Sequence, residues 1–338
     1  KAAQTVTYTI KDDKPFIFTP HFTFFGFRFI HVSEFPGRAD LDNFLAFAVY
    51  SEMEQTGFFE CSNPDLNQLQ SNIQWGMKSN FVSVPTDCPQ RDERMGWTGD
   101  AQIFGRTAAF NMNTYTFFSN WLRDLAVDQK AVDGGVPHVI PDVLHIYPFK
   151  NWLLEQGSHS AAAWSDAAVI NPWVLYLVHG DTKILEVQYE SMKAWIDFMT
   201  DHAEGNIWSY RLQFGDWVAL DAEEGSYFGA TPTDLISTAY YEYSTRLFSK
   251  VANILGRDED AKRYALLADS IKRTFQETFF NENGDMTAQT QTAHILALHF
   301  NLTPEKHLAQ TVVGLKHLLD KHDGHLVTGF VGTPYFCH

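Results

Sequence analysis

Two hydrophobic periods divide the chain. In residues 1–60 apolar and polar positions alternate: Val6, Tyr8 and Ile10 interleave with Thr5, Thr7 and Thr9, FTFFGFRFIHV (22–32) is aromatic and β-branched around Gly26, and FLAFAVYSEM (44–53) continues the pattern. A period of two predicts three or four strands, too few for an independent unit, so residues 1–60 read as the C-terminal part of a β-sandwich domain. From SNPDL (62–66) the period lengthens to three and four. Ser62 or Asn63 can cap a helix that has Pro64 in its first turn. Leu235, Ala239, Tyr243, Leu247, Val251 and Ile254 share one helical face, as do Ala261, Tyr264, Ala268, Ile271, Phe275 and Phe279, and Ile184, Met192, Trp195, Ile196 and Met199 mark a helix starting near Asp181. Similar stripes at 65–80, 100–111, 114–129, 165–179, 288–300 and 304–320 bring the total to about nine helices. Each has an apolar stripe to bury, so consecutive helical hairpins over 61–338 are the simplest arrangement; no exact repeat supports a regular solenoid. The connections at 130–163 and 205–231 are long for a packed domain and rich in Trp, Asp, Gly and His, which points to function.

Composition narrows the function classes. With 45% hydrophobic residues and no uninterrupted apolar run of membrane-spanning length, a soluble globular protein is expected. The net charge of −16 disfavours nucleic-acid partners. The 9 Trp and 13 Tyr exceed what cores need and suit a site that packs aromatic faces against sugar rings. Three cysteines without CxxC argue against zinc and against a disulfide framework. Fourteen histidines, among them His138 and His159, show no metal-ligand spacing, so no metal site is expected.

The densest polar constellation is DCPQRDERMGWTGDAQ (87–102). Asp87, Asp92, Glu93 and Asp100 crowd against Arg91, Arg94 and Trp97, while Pro89, Gly96 and Gly99 break any regular helix. The plain reading is a salt-bridged surface loop with Asp100 near the start of the next helix. Against that reading, a surface loop does not need a tryptophan among so many charges. Clustered carboxylates also push one another's pKa values apart, so that one stays protonated while others ionise, and this suits glycosidic bond cleavage.

This segment resembles the signature of bacterial α-L-rhamnosidases, glycoside hydrolase family seventy-eight. FTFFGFRFIHV, WSDAAV (164–169), FGDW (214–217), QTQTAHILAL (289–298) and TGFVGTP (328–334) resemble further family segments in the expected order. The resemblance implies an (α/α)6 barrel of six helical hairpins flanked by β-sandwich domains. It implies Glu93 as general acid, and Asp87, Arg91, Trp97 and Asp100 as holders of the terminal rhamnose. It implies Trp164 and Trp217 as pocket walls, with Asp166 and Asp216 as nearby sugar contacts and Trp152 as a rival for the first wall. The implied reaction is an inverting, exo-acting hydrolysis of terminal α-L-rhamnose from glycosides or polysaccharides, without a cofactor.

About nine helices fall short of the twelve implied, and the Thr-Thr-x-Trp-Glu-like stretch that would carry the water-activating Glu is not among these residues. The sequence therefore reads as a barrel without its last helices and without its base, the expectation being that both lie beyond His338. Glu155, Glu223 and Glu224 are lesser candidates for the base. Another six-hairpin hydrolase or lyase, and a carbohydrate-binding form without catalysis, are the alternatives. Homo-oligomerisation is compatible with the reading. Compartment stays open between cytoplasm and periplasm or secretion.

Overall fold

The computed structural model describes residues 4–12, 14–146 and 157–337. Among them are nine helices of two turns or more: α1 (Pro64–Asn80), α2 (Thr98–Asn111), α3 (Tyr115–Asp128), α4 (Ala167–His179), α5 (Lys183–His202), α6 (Thr233–Ile254), α7 (Asp258–Phe279), α8 (Gln291–His299) and α9 (Leu308–Lys321). A single helical turn, Val143–Ile146, lies between α3 and α4. No helix of the described residues is long and apolar enough to cross a membrane.

Local chemistry explains the boundaries. Asn63 caps α1, its side chain accepting from the Asp65 amide at 2.8 Å, with Pro64 at the first helical position. Asp181 accepts from the Lys183 amide at 2.9 Å ahead of α5. Gly180, at φ +65°, supplies the left-handed residue that ends α4 and turns the chain into α5.

The helices pack in two layers. α2, α4, α6 and α8 touch in succession, while α3, α5 and α7 lie outside them; α9 packs on α8 as its hairpin partner. Sequence pattern sorts the layers. Inner α4 is buried continuously from Ala167 to Pro172 and α8 from Gln291 to Ala297, whereas outer α7 buries only Tyr264, Ala268, Ile271, Phe275 and Phe279. A helix apolar on all sides needs neighbours on all sides; a single stripe needs one. Polar links reinforce the outer layer, where Tyr189 on α5 donates to Asp260 on α7 at 2.6 Å and Tyr264 on α7 donates to Asp197 on α5 at 2.5 Å.

The strands expected in residues 1–60 do not form among the described residues. That segment runs extended and largely exposed, interrupted by one 3-10 turn at Leu41–Asn43. The Gln4 side chain donates to the Gln90 carbonyl at 2.6 Å, and further links follow at the segment's end. There Ser51 donates to the Phe81 carbonyl at 2.8 Å, and Thr56 and Gly57 donate to the Asn111 carbonyl at 3.0 Å each. Period-two alternation specifies which side chains share a face, but a ladder also needs partner strands, and these residues find none.

Candidate active site

Residues 86–97 connect the two-residue strands Phe81–Val82 and Val84–Pro85 to α2. Backbone clamps give this loop its shape. Asp87 and Met95 close it, the Asp87 amide donating to the Met95 carbonyl at 3.2 Å and the Met95 amide donating to Asp87 Oδ1 at 3.1 Å. On the far side Ile140 donates to the Gly96 carbonyl at 2.8 Å and Thr98 to the His138 carbonyl at 2.9 Å. A Cβ on Gly96 would stand 2.0 Å from the Ile140 carbonyl oxygen, so only glycine fits this crossing.

Five of the sequence-predicted residues come together here. Arg91 pairs with Glu93 at 2.9 Å and reaches toward Asp87 Oδ2 at 3.9 Å. Trp97 donates its indole N–H to the Glu93 carbonyl at 3.3 Å. Asp100, in the first turn of α2, lines with Asp87 a cavity of about 340 Å³ whose other walls include Met77, Phe81, Phe104 and Phe330. Glu93 and Arg91 lie on the exposed side of the loop and Asp87 on its inner side.

Burial and mutual charge set the electrostatics. Burial, followed by the charge of Asp87, pushes Asp100 up to about 7, and burial also raises Asp87. Asp87 Oδ2 is buried without a hydrogen-bond partner. A buried acceptor left open at a cavity wall is suited to a hydroxyl ligand. Cys88 is pushed up to about 11, first by burial and then by its contact with Asp87, so its thiol stays protonated and unreactive near neutral pH.

An aromatic cluster stands beside the loop. Of its rings Phe330 lines the cavity with Asp87 and Asp100, while Trp164, expected as a pocket wall, is buried behind it and Trp217 does not line it. Phe214, which the sequence reading did not single out, touches Trp97 at 6.1 Å, Trp164 at 4.5 Å, Trp217 at 5.7 Å and His138 at 4.9 Å between ring centroids. Phe330 stacks on Trp164 at 4.8 Å, and Tyr227 on Trp217 at 5.3 Å. A Cβ on Gly99 would meet the Trp164 indole at 2.7 Å, so the ring rests on the α2 backbone beside Asp100. The alternation F-x-x-W around a Gly-Asp pair was the available signal for Phe214; nothing local marked Phe330, which reaches the cluster from a distant loop.

Asp166 and Asp216 are placed differently. Asp166 is fully buried, with Oδ1 accepting from the Trp195 indole at 3.0 Å and Ser244 at 2.5 Å, and Oδ2 accepting from the Ala163 amide at 2.7 Å. Burial raises it to about 6 against the pull of those bonds. Asp216 is likewise sealed and accepts from the Thr292 hydroxyl and from three amides, Gly329 and Val331 at 2.9 Å and Gly332 at 3.2 Å. Neither presents a solvent-facing oxygen for the sugar contact expected of it. His138 is buried, with Nε2 3.1 Å from the Gly157 carbonyl oxygen and burial pushing it down to about 3; His159 Nδ1 lies 2.7 Å from Ser160 Oγ. Among the described residues no cluster of His, Cys, Asp or Glu could hold a metal ion. Trp152 and Glu155 lie outside the described residues, and Glu223 and Glu224 are exposed on the turn between Trp217 and Phe228.

Comparison with known proteins decides the family. Residues 54–338 match the profile of the bacterial alpha-L-rhamnosidase 6 hairpin glycosidase domain, and residues 1–50 that of the bacterial alpha-L-rhamnosidase concanavalin-like domain. The chain belongs to the bacterial alpha-L-rhamnosidase family. An alpha-L-rhamnosidase of Alteromonas sp. is 42% identical over 94% of the chain, and one of Formosa agariphila 39% identical over 99%. Two solved structures are similar. The Streptomyces avermitilis alpha-L-rhamnosidase in complex with L-rhamnose has TM-score 0.75, is 37% identical and covers 85% of this chain; the Aspergillus terreus enzyme has TM-score 0.78, is 36% identical and covers 84%. The chain spans about a third of the length of these relatives: 34% and 35% of the two curated proteins, and 26% and 32% of the two solved chains.

Proposed function

We propose that this member of the family carries the sugar pocket and the proton donor of a glycoside hydrolase that releases terminal α-L-rhamnose from rhamnose-bearing glycosides or polysaccharides. The observation that carries the reading is the cavity where Asp87 and Asp100 meet, beside the aromatic cluster and on the loop that bears Glu93. Support comes from the rhamnose-bound relative, which shares 37% identity with this chain. Residues 54–338 are read as the successive hairpins of an (α/α)6 barrel and residues 1–50 as part of an adjoining β-sandwich.

In this mechanism Glu93 protonates the departing glycosidic oxygen, and the exposed side of the loop leaves it room to turn from Arg91 toward the bond. Asp87 and Asp100 hold sugar hydroxyls and gain Coulomb energy as positive charge develops on the ring. Water attacks from the opposite face with inversion, at a distance that leaves space between acid and base, ~6.5–9.5 Å between carboxyls in inverting glycosidases. No base is assigned among the described residues.

The test is hydrolysis of p-nitrophenyl α-L-rhamnoside within a panel of nitrophenyl glycosides, with NMR of the first-formed anomer. Release of β-L-rhamnose from the rhamnoside alone is expected. Turnover of another glycoside in preference, or retention of the anomeric configuration, would overturn the reading.

A further inference from the structure

The FGDW segment lies in the aromatic cluster, yet its aspartate faces away from the cavity. Phe214 and Trp217, on either side of Gly215 and Asp216, both contribute rings to the cluster. Between them the Asp216 carboxylate turns into the loop 328–334, where three consecutive-region amides and the Thr292 hydroxyl at the start of α8 converge on its two oxygens. A carboxylate has about four acceptor directions and no donor, so this set saturates it. The same loop is pressed against the segment along its length. Phe330 donates to the Trp217 carbonyl at 2.9 Å, Leu220 donates to the Val327 carbonyl at 3.0 Å, and a Cβ on Gly329 would stand 2.4 Å from the Trp217 carbonyl oxygen.

Phe330 sits in the middle of the pinned amides, stacks on Trp164, and lines the cavity with Asp87 and Asp100. Trp164 in turn rests on Gly99. We infer that Asp216 is a positioning residue that holds Phe330 against Trp164 and so fixes the aromatic side of the sugar pocket without touching the sugar. The inference rests on the rhamnosidase reading for its substrate.

The experiment is a double-mutant cycle of Asp216→Asn and Phe330→Ala, read by steady-state kinetics on p-nitrophenyl α-L-rhamnoside at a temperature where circular dichroism shows every variant folded. Asparagine presents an NH2 where an amide now donates, so the pin fails while the volume is kept. Each single variant is expected to raise KM roughly 10-fold with kcat within about 3-fold, because a wall binds substrate and transition state alike. The double variant should lie within about 3-fold of the worse single, since Asp216 acts through Phe330. Multiplicative effects, or an unchanged KM in folded Asp216→Asn, would overturn the inference.

Should the parent protein not hydrolyse rhamnosides, the function reading fails and hydrogen exchange decides the positioning on its own. Faster exchange at both 328–334 and 160–166 in Asp216→Asn sustains it. Faster exchange at 328–334 with 160–166 unchanged refutes it.

Discussion

Asp87 and Asp216 are both carboxylates set into loops beside tryptophans, and both belong to segments that a sequence reader would mark for chemistry. Asp216 has four internal donors and no access to solvent. Asp87 has one amide on Oδ1, the Cys88 thiol in contact, a distant guanidinium and a buried Oδ2 without a hydrogen bond, and it lines a cavity with Asp100. A buried acceptor without a donor is destabilising unless something else supplies one. The saturated carboxylate is tied into the architecture, whereas the open oxygen of Asp87 is what the proposed function assigns to a sugar hydroxyl. Asp166 falls with Asp216, its oxygens likewise filled by internal donors; Glu93 is in neither group, being exposed and paired with Arg91.

Substitutions should split along that line. Glu93→Gln is expected to lower kcat for poor leaving groups by roughly 10³-fold, within the range for loss of a general acid, while rhamnose binding measured by calorimetry and the melting temperature stay near the parent values. Equal activity of this variant would remove Glu93 from the acid role. Asp166→Ala is expected to act in the opposite sense on the two readouts. It strands the Trp195 indole, the Ser244 hydroxyl and the Ala163 amide in the core, so unfolding in urea should show a loss of about 3 kcal/mol. A loss under about 0.5 kcal/mol would place Asp166 with the ligand-facing carboxylates.

The helices and the 87–100 segment were legible in the sequence, but this division among the carboxylates was not, since Asp166 and Asp216 were expected to contact the sugar. The three- and four-residue stripes marked all nine longer helices, because a helix's buried face is written locally in its own residues; Tyr264, Ala268, Ile271 and Phe275 are an example. The 87–100 loop was legible for a related reason, since its charges, glycines and Trp97 are contiguous. Partners distant in sequence were not legible. That Asp216 faces Gly329 and Val331, more than a hundred residues away, depends on how α6 and α8 bring two loops together. Phe330 joins the cluster for the same reason. The strands expected in residues 1–60 illustrate the converse: alternation was read correctly as a pattern, but pairing is not a property of one strand.

Asp100 sharpens the comparison through pH. Its native value of about 7 lies above the ordinary carboxylate value of 3.8, which the unfolded chain is taken to show. Below about pH 4 both states hold the proton and the group is neutral to stability. Between pH 4 and 7 the unfolded state has released its proton while the native state retains it, so stability falls as pH rises; above 7 the full penalty is present. Asp100→Asn should therefore match the parent near pH 4 and exceed it by about 2 to 4 kcal/mol at pH 8, read from urea midpoints at each pH. Parallel pH curves for parent and variant would show that the carboxyl is not held in a desolvating site.

Arg91 should give the smallest effect on stability and a clear one on binding. Its pair with Glu93 is exposed on both sides, 58% and 46% of each side chain being accessible, and exposed pairs contribute about 0 to 1 kcal/mol. Arg91→Ala is expected to shift unfolding by under about 0.5 kcal/mol while raising KM several-fold, because it also removes the cation nearest the open oxygen of Asp87. The residue belongs to the ligand-facing set only if those two readouts separate. A variant that loses stability and keeps KM would show that Arg91 serves the loop's shape, and would move the line between architecture and ligand binding inside the 87–100 segment itself.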